Sequence, residues 1–236
     1  MKALQSSAAT PIRFSVTPAI GEVSALLLRP DKAQWLLVLG HGAGAGMRHV
    51  FMESISIELA QHGIATFRYN FPYTEKGNRR PDFTPVLLAT VRRAVDVAGE
   101  AVGELPLLAG GKSMGGRMTS MAAAEDSLPR VRGLVFFGFP LHLAGQPGTT
   151  RGDHLARVKV PMLFLQGTRD KLAELSLLRP VCEELGERAE LQIVKASDHS
   201  FHFPKNSGRD DSQVLTELAQ AVSSWAARLH EGNQTE

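Results

Sequence analysis

Ser113 is the residue of this chain with the clearest chemical potential, because it lies in the sequence Gly-Gly-Lys-Ser-Met-Gly-Gly at residues 110–116. Glycines two positions before and after a serine, here Gly111 and Gly115, permit a strand-to-helix turn that lifts the hydroxyl clear of a sheet. In that turn a Cβ at either position would collide with the backbone. The motif predicts cleavage of an acyl bond, and the plainer alternative is that Ser113 only caps a helix.

Further candidate groups follow other apolar runs of the chain. Asp170 follows residues 162–166, His199 follows residues 190–194, and a glycine-rich loop at residues 41–46 follows residues 34–39. In a parallel sheet, reactive groups collect at the carboxyl ends of the strands. The order Ser, Asp, His is the one found with this kind of turn, so the sequence predicts a triad of Ser113, Asp170 and His199.

Other residues compete for two of these roles. Asp153 or Asp198 could supply the carboxylate, and His202 could supply the imidazole. Asp170 is favoured because it directly follows a predicted buried strand and a turn that contains glycine. His41 adjoins the glycine loop, and we expect it to hold that loop by hydrogen bonds.

The segments that must position these groups alternate between strand and helix patterns. Strands are predicted at residues 34–39, 64–69, 105–109, 131–139, 160–166 and 190–194, after a hairpin of residues 12–16 and 23–28. Apolar residues at helical spacing indicate one helix that ends at Gly63, another that follows Ser113 and another that begins near Asp211. A further helix is predicted to be capped by Thr84 with Pro85 at its first position. Pro180 weakens the helical pattern between the strands at residues 160–166 and 190–194.

This alternation predicts an α/β fold, in which a mostly parallel sheet has helices on both faces and an antiparallel hairpin at its N-terminal edge. With 236 residues, the chain suits a single domain over residues 1–236, with residues 1–11 as a flexible lead-in. The longest irregular stretch, residues 140–159, is too short for a separate cap domain.

Composition excludes several classes of function. The chain has 26 basic and 24 acidic residues and no basic run longer than Arg79-Arg80, which argues against nucleic acid as a partner. The apolar runs are far shorter than the ~20 residues that a membrane span needs. The single cysteine, Cys182, is expected to be a buried helix residue; it excludes an internal disulfide and suits a reducing compartment, so a cytoplasmic location is predicted.

With these features the chain resembles the α/β-hydrolase superfamily over nearly its whole length, and it is most similar to small capless members such as the dienelactone hydrolases. The resemblance implies a nucleophile at Ser113 in Gly-Lys-Ser-Met-Gly, an acid at Asp170 in Gly-Thr-Arg-Asp and a base at His199 in Ser-Asp-His-Ser-Phe. It also implies that the backbone N–H groups of Met114 and Ala43 bind the oxyanion of the intermediate.

Dienelactone hydrolases use a cysteine nucleophile, so their particular substrate does not carry over to Ser113. The resemblance implies a serine hydrolase that cleaves a small-molecule carboxylic ester or thioester through an acyl-enzyme, with no metal or organic cofactor. A non-catalytic binding member of the fold and a small serine peptidase are the alternatives.

Two residues near the predicted site are open to other interpretations. Lys112 adjoins the nucleophile, but we expect its side chain to point away from the cleft and assign it no chemical role. Residues 70–80 also follow a strand and are expected to form a solvated loop. If that loop borders the pocket instead, Arg79 or Arg80 would favour an anionic substrate.

Overall fold

The computed structural model of the protein describes residues 9–204 and 206–231, which fold around one eight-stranded sheet. The strands are β1 (Thr10–Thr17), β2 (Gly21–Leu28), β3 (Trp35–Gly40), β4 (Ile64–Tyr69), β5 (Leu107–Lys112), β6 (Val131–Phe137), β7 (Met162–Gly167) and β8 (Ala189–Val194). Their order across the sheet is β1-β2-β4-β3-β5-β6-β7-β8. β2 pairs antiparallel with β1 and β4, and the remaining neighbours are parallel, as the sequence predicts.

Helices connect the strands and cover both faces of the sheet. They are α1 (Val50–Gln61), α2 (Pro72–Glu75), α3 (Thr84–Val102), α4 (Met114–Glu125), α5 (Leu175–Leu185) and α6 (Asp211–Glu231), with 3₁₀ helices at Thr150–Arg157 and Gly186–Arg188. Among the residues described, no helix combines the length and the apolar composition that crossing a bilayer requires.

The two cores follow from the alternation of side chains along the strands. In β3, Leu36 and Val38 pack into the core beneath α3, α4 and α5, whereas Leu37 and Leu39 pack into the core beneath α1 and α6. Every residue of β3 is buried, which is the expected state of a central strand covered on both faces. The predicted layering of helices on both faces is therefore confirmed.

The end of β5 differs from its predicted position. The strand runs to Lys112 rather than to residue 109, because Gly110 and Gly111 stay in register with Val135 and Phe136 of β6. The glycine-rich segment thus begins as a strand, and the chain turns only at Ser113.

Two predicted boundaries are also corrected. β1 begins at Thr10, so Thr10 and Pro11 belong to a strand rather than to the lead-in; residues 1–8 of that lead-in lie outside the described residues. Thr84 is not the cap of α3. Phe83 holds the cap position, and Pro85 lies in the first turn, where the absence of an N–H costs no helical hydrogen bond.

A buried histidine joins the 3₁₀ helix Thr150–Arg157 to α4. The imidazole Nε2 of His154 lies 2.7 Å from the hydroxyl of Ser120, and both side chains are buried. Burial, together with the nearby guanidinium groups of Arg117 and Arg157, lowers the pKa of His154 to about 4. The His154 imidazole is therefore neutral in the folded protein near neutral pH.

The packing of α6 on β6 leads to a first prediction. A Cβ added at Gly133 would lie 2.5 Å from Cη2 of Trp225 and 3.0 Å from Cδ1 of Leu229. Gly133→Ala should therefore lower the free energy of unfolding by about 1–3 kcal/mol, measured by urea denaturation. Gly148→Ala is the control, since a Cβ there meets no atom of the described residues within 4 Å. Equal stability of the two variants would contradict this account of the packing.

The buried histidines lead to a second prediction, on the pH dependence of stability. An unfolded chain binds a proton on each histidine near the ordinary pKa of 6.5, but His154 and His41, whose folded pKa values are both about 4, stay neutral. Stability is therefore lost as the pH falls from 6.5 towards 4.

His154→Gln removes one of these two titrations and can still form a hydrogen bond with Ser120. The variant should lose less free energy of unfolding between pH 7 and pH 5 than the wild type does, by roughly 1 kcal/mol, measured by urea denaturation at both values. The same loss in both proteins would show that His154 does not titrate as its burial requires.

Candidate active site

Ser113 lies in a sharp turn between β5 and α4. Its backbone has φ of 51° and ψ of −116°, in a region that side-chain-bearing residues rarely occupy. A Cβ on Gly111 would lie 2.8 Å from the carbonyl carbon of Gly115, and a Cβ on Gly115 would lie 2.2 Å from the oxygen of Gly40. The predicted steric reason for the two glycines is confirmed. Gly40 of the neighbouring strand β3 takes part in the same close contact.

Ser113, His199 and Asp170 form one hydrogen-bonded chain. Nε2 of His199 lies 2.8 Å from Oγ of Ser113, and Nδ1 lies 2.7 Å from Oδ2 of Asp170. Because a carboxylate only accepts, Nδ1 carries the proton that it donates to Asp170, and Nε2 is free to accept the serine proton. The structure therefore brings the three predicted residues into contact, in the tautomer that a general base requires.

The competing residues make other contacts. Nδ1 of His202 pairs with the carboxylate of Asp211 at the start of α6. Oδ1 of Asp198 accepts the backbone N–H groups of Ser200 and His202, at 2.8 and 3.0 Å, and so closes the loop that carries His199. Asp153 is exposed on the 3₁₀ helix Thr150–Arg157.

The Asp170 carboxylate is completely buried and is held by three groups. Besides His199, the side-chain amide of Gln166 donates to Oδ2, and the backbone N–H of Leu172 donates to Oδ1 at 2.8 Å. The carbonyl oxygen of the Gln166 side chain accepts the N–H of Phe139 at 3.0 Å. A buried charge needs such donors, and they fix the direction in which the carboxylate faces the imidazole.

Sequence reasoning missed Gln166. The signal was present as a polar residue at the end of the apolar run Met-Leu-Phe-Leu-Gln, where a buried amide needs partners. That run does not reveal which groups those partners are.

The loop at residues 41–46 lies beside Ser113. A Cβ on Gly42 would be 3.7 Å from Cβ of Ser113, and Ala43 lines the same cleft. The N–H of Ala45 donates to the carbonyl of Gly42, so Ala43 occupies the tip of a tight turn. Met114 is the first residue of α4, and its N–H therefore has no partner within the helix.

His41 anchors this loop, as the sequence predicts. Nδ1 donates to the carbonyl of Gly42 at 2.9 Å, and Nε2 accepts the N–H of Phe71 and the hydroxyl of Thr74, each at 3.2 Å. Burial lowers the pKa of His41 to about 4, so the ring is neutral and can donate on one side while accepting on the other.

The expectation for Lys112 is wrong, because its side chain lines the cleft rather than pointing away from it. β5 continues to Lys112, and side chains alternate along a strand, so Lys112 faces the same side as Leu108, towards α1 and α6. Its Nζ donates to the backbone carbonyl of His199 at 2.6 Å. Burial lowers the pKa of Lys112 to about 8.

A cleft of about 680 Å³ opens above Ser113, between the first turns of α1 and α6. Its apolar walls are formed by Val50, Phe51, Met52, Leu172, Phe201, Val214 and Leu215. Residues 70–84 do not contribute to this lining within the described chain, and Arg79 and Arg80 border a separate depression instead. Residues 70–80 thus lie outside the pocket as expected, but they are not a solvated loop throughout, because Pro72–Glu75 form α2 and Phe71 and Tyr73 are buried.

Solved structures of similar fold match almost the entire chain. A dienelactone hydrolase from Anabaena variabilis has a TM-score of 0.73 at 22% identity, and the match covers 94% of this chain and 99% of that one. A lid-less α/β serine hydrolase from Xanthomonas campestris, XC6422, has a TM-score of 0.73 at 18% identity, covering 95% and 98%. The esterase domain of a Rhodothermus marinus protein has a TM-score of 0.65 at 18% identity, covering 94% and 99%.

The likeness to these structures shows the fold: an eight-stranded, mostly parallel sheet with an N-terminal antiparallel hairpin and, within residues 9–204 and 206–231, no cap domain. The family model of the alpha/beta hydrolase domain matches residues 33–227, which is most of the chain and includes the segment from β3 to α6. The chain therefore belongs to the alpha/beta hydrolase domain family.

Proposed function

We propose that this protein is a serine hydrolase that cleaves a carboxylic ester or a thioester through an acyl-enzyme on Ser113. The observation that carries the proposal is the continuous hydrogen-bonded chain from Ser113 through His199 to the buried Asp170, which opens into the apolar cleft. The family supports a hydrolase, and the names dienelactone hydrolase and esterase among structures of similar fold agree with an ester substrate.

The first step is attack of the Ser113 oxygen on the acyl carbon. As the new C–O bond forms, the hydroxyl proton passes to Nε2 of His199, 2.8 Å away, and the ring becomes an imidazolium. The Asp170 carboxylate stabilises that cation through the hydrogen bond from Nδ1. General-base help of this kind contributes about 10²–10⁴ in rate.

The negative charge that develops on the carbonyl oxygen needs donors. The N–H of Met114 is an available donor at the N-terminus of α4, where the aligned helix dipole also favours negative charge. The N–H of Ala43, at the tip of the turn beside Ser113, is the proposed second donor. Each donor in such a site contributes about 10²–10³ to turnover.

Collapse of the intermediate breaks the bond to the leaving group, an alcohol or a thiol, which takes the proton from Nε2 of His199. Water then enters, gives a proton to the same nitrogen and attacks the acyl carbon. The second collapse releases the acid and returns the proton to Ser113. Because the cleft is open to solvent in the described part of the chain, both the leaving group and the water can pass through its mouth.

The main alternative is a binding protein of the same fold that does no chemistry. A fluorophosphonate probe separates the two, since it forms a covalent bond only with an activated serine. The tautomer and spacing of His199 relative to Ser113 favour the enzyme. A peptidase would use the same triad, so peptides belong in the substrate panel. The predicted cytoplasmic location stays a prediction.

Ser113→Ala should reduce hydrolysis of a p-nitrophenyl ester by about 10⁴–10⁶ without unfolding the protein, because it removes the nucleophile. Ser120→Ala is a matched control. Ser120 is also hydrogen-bonded to a histidine, His154, but it is buried on α4 and does not line the cleft, so its variant should retain activity and fluorophosphonate labelling.

Retained turnover in Ser113→Ala, or loss of labelling in Ser120→Ala with Ser113 intact and the protein folded, would refute the assignment of the nucleophile. A panel of esters, thioesters and peptides, tested on the wild type, then defines the leaving group. Turnover of peptides alone would replace the proposed ester or thioester by the peptidase.

A further inference from the structure

Lys112 forms a contact that joins the strand of the nucleophile to the loop of the base. Its Nζ donates to the backbone carbonyl of His199 at 2.6 Å, and it lies 5.9 and 5.6 Å from the ring centroids of Phe51 and Phe201. The two rings stack on each other with centroids 5.8 Å apart. The ammonium is thus enclosed between α1, the end of β5 and the loop of residues 195–202 after β8, which carries His199 and is called the His199 loop.

The space for this contact is provided by Gly138, which follows β6. A Cβ on Gly138 would lie 3.2 Å from Nζ of Lys112 and 3.3 Å from both Nδ1 and the carbonyl oxygen of His199. Gly138 has φ of 70°, a conformation that glycine adopts without strain. A larger residue there would displace the lysine and the histidine together.

The His199 loop is also tied to the residues after β7, because the N–H of Arg169 donates to the carbonyl of Ser197 and the N–H of Ala196 donates to the hydroxyl of Thr168, each at 2.9 Å. Asp198 and Phe201 bond within the loop, through the N–H of Asp198 to the carbonyl of His202 and the N–H of Phe201 to the carbonyl of Asp198. The two non-glycine residues Ala196 and Phe201 each have φ of 65°. Positive φ at such residues costs free energy, so the loop keeps its shape only because surrounding contacts hold it.

Nearby carboxylates explain why the ammonium of Lys112 can be buried at its contact with the His199 carbonyl. The carboxylates of Asp170 and Asp198 favour the ammonium form of Lys112, while burial favours the neutral amine and lowers the pKa to about 8. In either form the amine can donate a hydrogen bond to the His199 carbonyl.

We infer that Lys112 is a positioning residue, which holds the His199 carbonyl and thereby keeps Nε2 of the imidazole in line with Oγ of Ser113. The inference rests on the proposed function, since it assigns Lys112 to the base of that reaction. Lys112 acts through His199 and is not required to touch the substrate. A displacement of about 1 Å at a reacting group can cost about 10²-fold in rate, so this anchor affects turnover rather than binding.

Lys112→Met keeps the apolar stem and removes the donor. The variant should have a kcat about 10- to 100-fold lower with KM within about twofold of the wild type, and its fluorophosphonate labelling should slow in parallel. Active-site titration separates positioning from simple loss of folded protein, because unfolding would reduce the number of labelled sites without reducing kcat per site.

Lys171→Met is the matched control, because Lys171 follows Asp170 and is exposed. It removes a positive charge next to the same triad without affecting the His199 carbonyl. Its kcat should equal that of the wild type.

A chemical rescue tests the ammonium itself. In Lys112→Cys, alkylation with 2-bromoethylamine builds a side chain with the length and amine of lysine, and alkylation with 1-bromopropane builds the same length without a donor. The native Cys182 is buried and its thiol pKa is raised to about 12, so the introduced thiol reacts first; wild-type protein treated in parallel reports any reaction at Cys182. Only the aminoethyl adduct should regain kcat, by about tenfold or more.

The outcomes distinguish this inference from the proposed function. Full activity in Ser113→Ala would overturn both. Loss of activity in Ser113→Ala together with a kcat within about twofold of wild type in Lys112→Met would overturn only the role of Lys112. Equal rescue by the propyl and aminoethyl adducts would also overturn it, because the lysine would then act only by filling space.

Discussion

The site depends on a close backbone contact that only glycine permits. The carbonyl of Gly40 at the end of β3 lies so near Gly111 and Gly115 that a Cβ on either would be 2.3 or 2.2 Å from its oxygen. This contact presses β3, β5 and the start of α4 together, and the chain between the glycines can continue only through the strained conformation of Ser113. The surrounding sheet, which is buried on both faces, maintains this strained conformation. The backbone position of Ser113 is therefore set by the sheet, and the contact with His199 then places its hydroxyl.

The remaining groups are placed by the same sheet, at increasing distance along the chain from the strands that they follow. Asp170 follows β7 after a short turn, and its buried carboxylate is satisfied by Gln166 and by the N–H of Leu172. A buried carboxylate without these donors would be costly, and the donors fix the direction in which it faces the imidazole. His199 is farther from its strand, in a loop with positive φ at Ala196 and Phe201. The base is thus the group that lies farthest along the chain from the strand before it.

The sequence predicted the groups that follow directly from strand ends. Ser113, Asp170 and His199 could be identified because each comes after an apolar run and parallel strands end at one edge of the sheet. Lys112 was misjudged because a residue next to the nucleophile was expected to point away from the cleft; its direction depends on the register of Gly110 and Gly111 with β6, which no local pattern reveals. Gln166 was missed for a similar reason, since its partners lie in other segments.

The contrast between strand-held and loop-held groups shows where this site is most sensitive. Ser113 lies in a turn held by close backbone contacts, and the Asp170 carboxylate is held by the Gln166 side chain and the N–H of Leu172. The imidazole of His199 is held at its two nitrogens by those groups, and the backbone carbonyl of His199 is held by Lys112. The stacked rings of Phe51 and Phe201 enclose that lysine. Helix α1 supplies Phe51 and therefore influences the alignment of the base without contacting it. The alignment of the base in the proposed reaction therefore depends on packing between α1 and the His199 loop, whereas all three reacting side chains follow strands of the sheet.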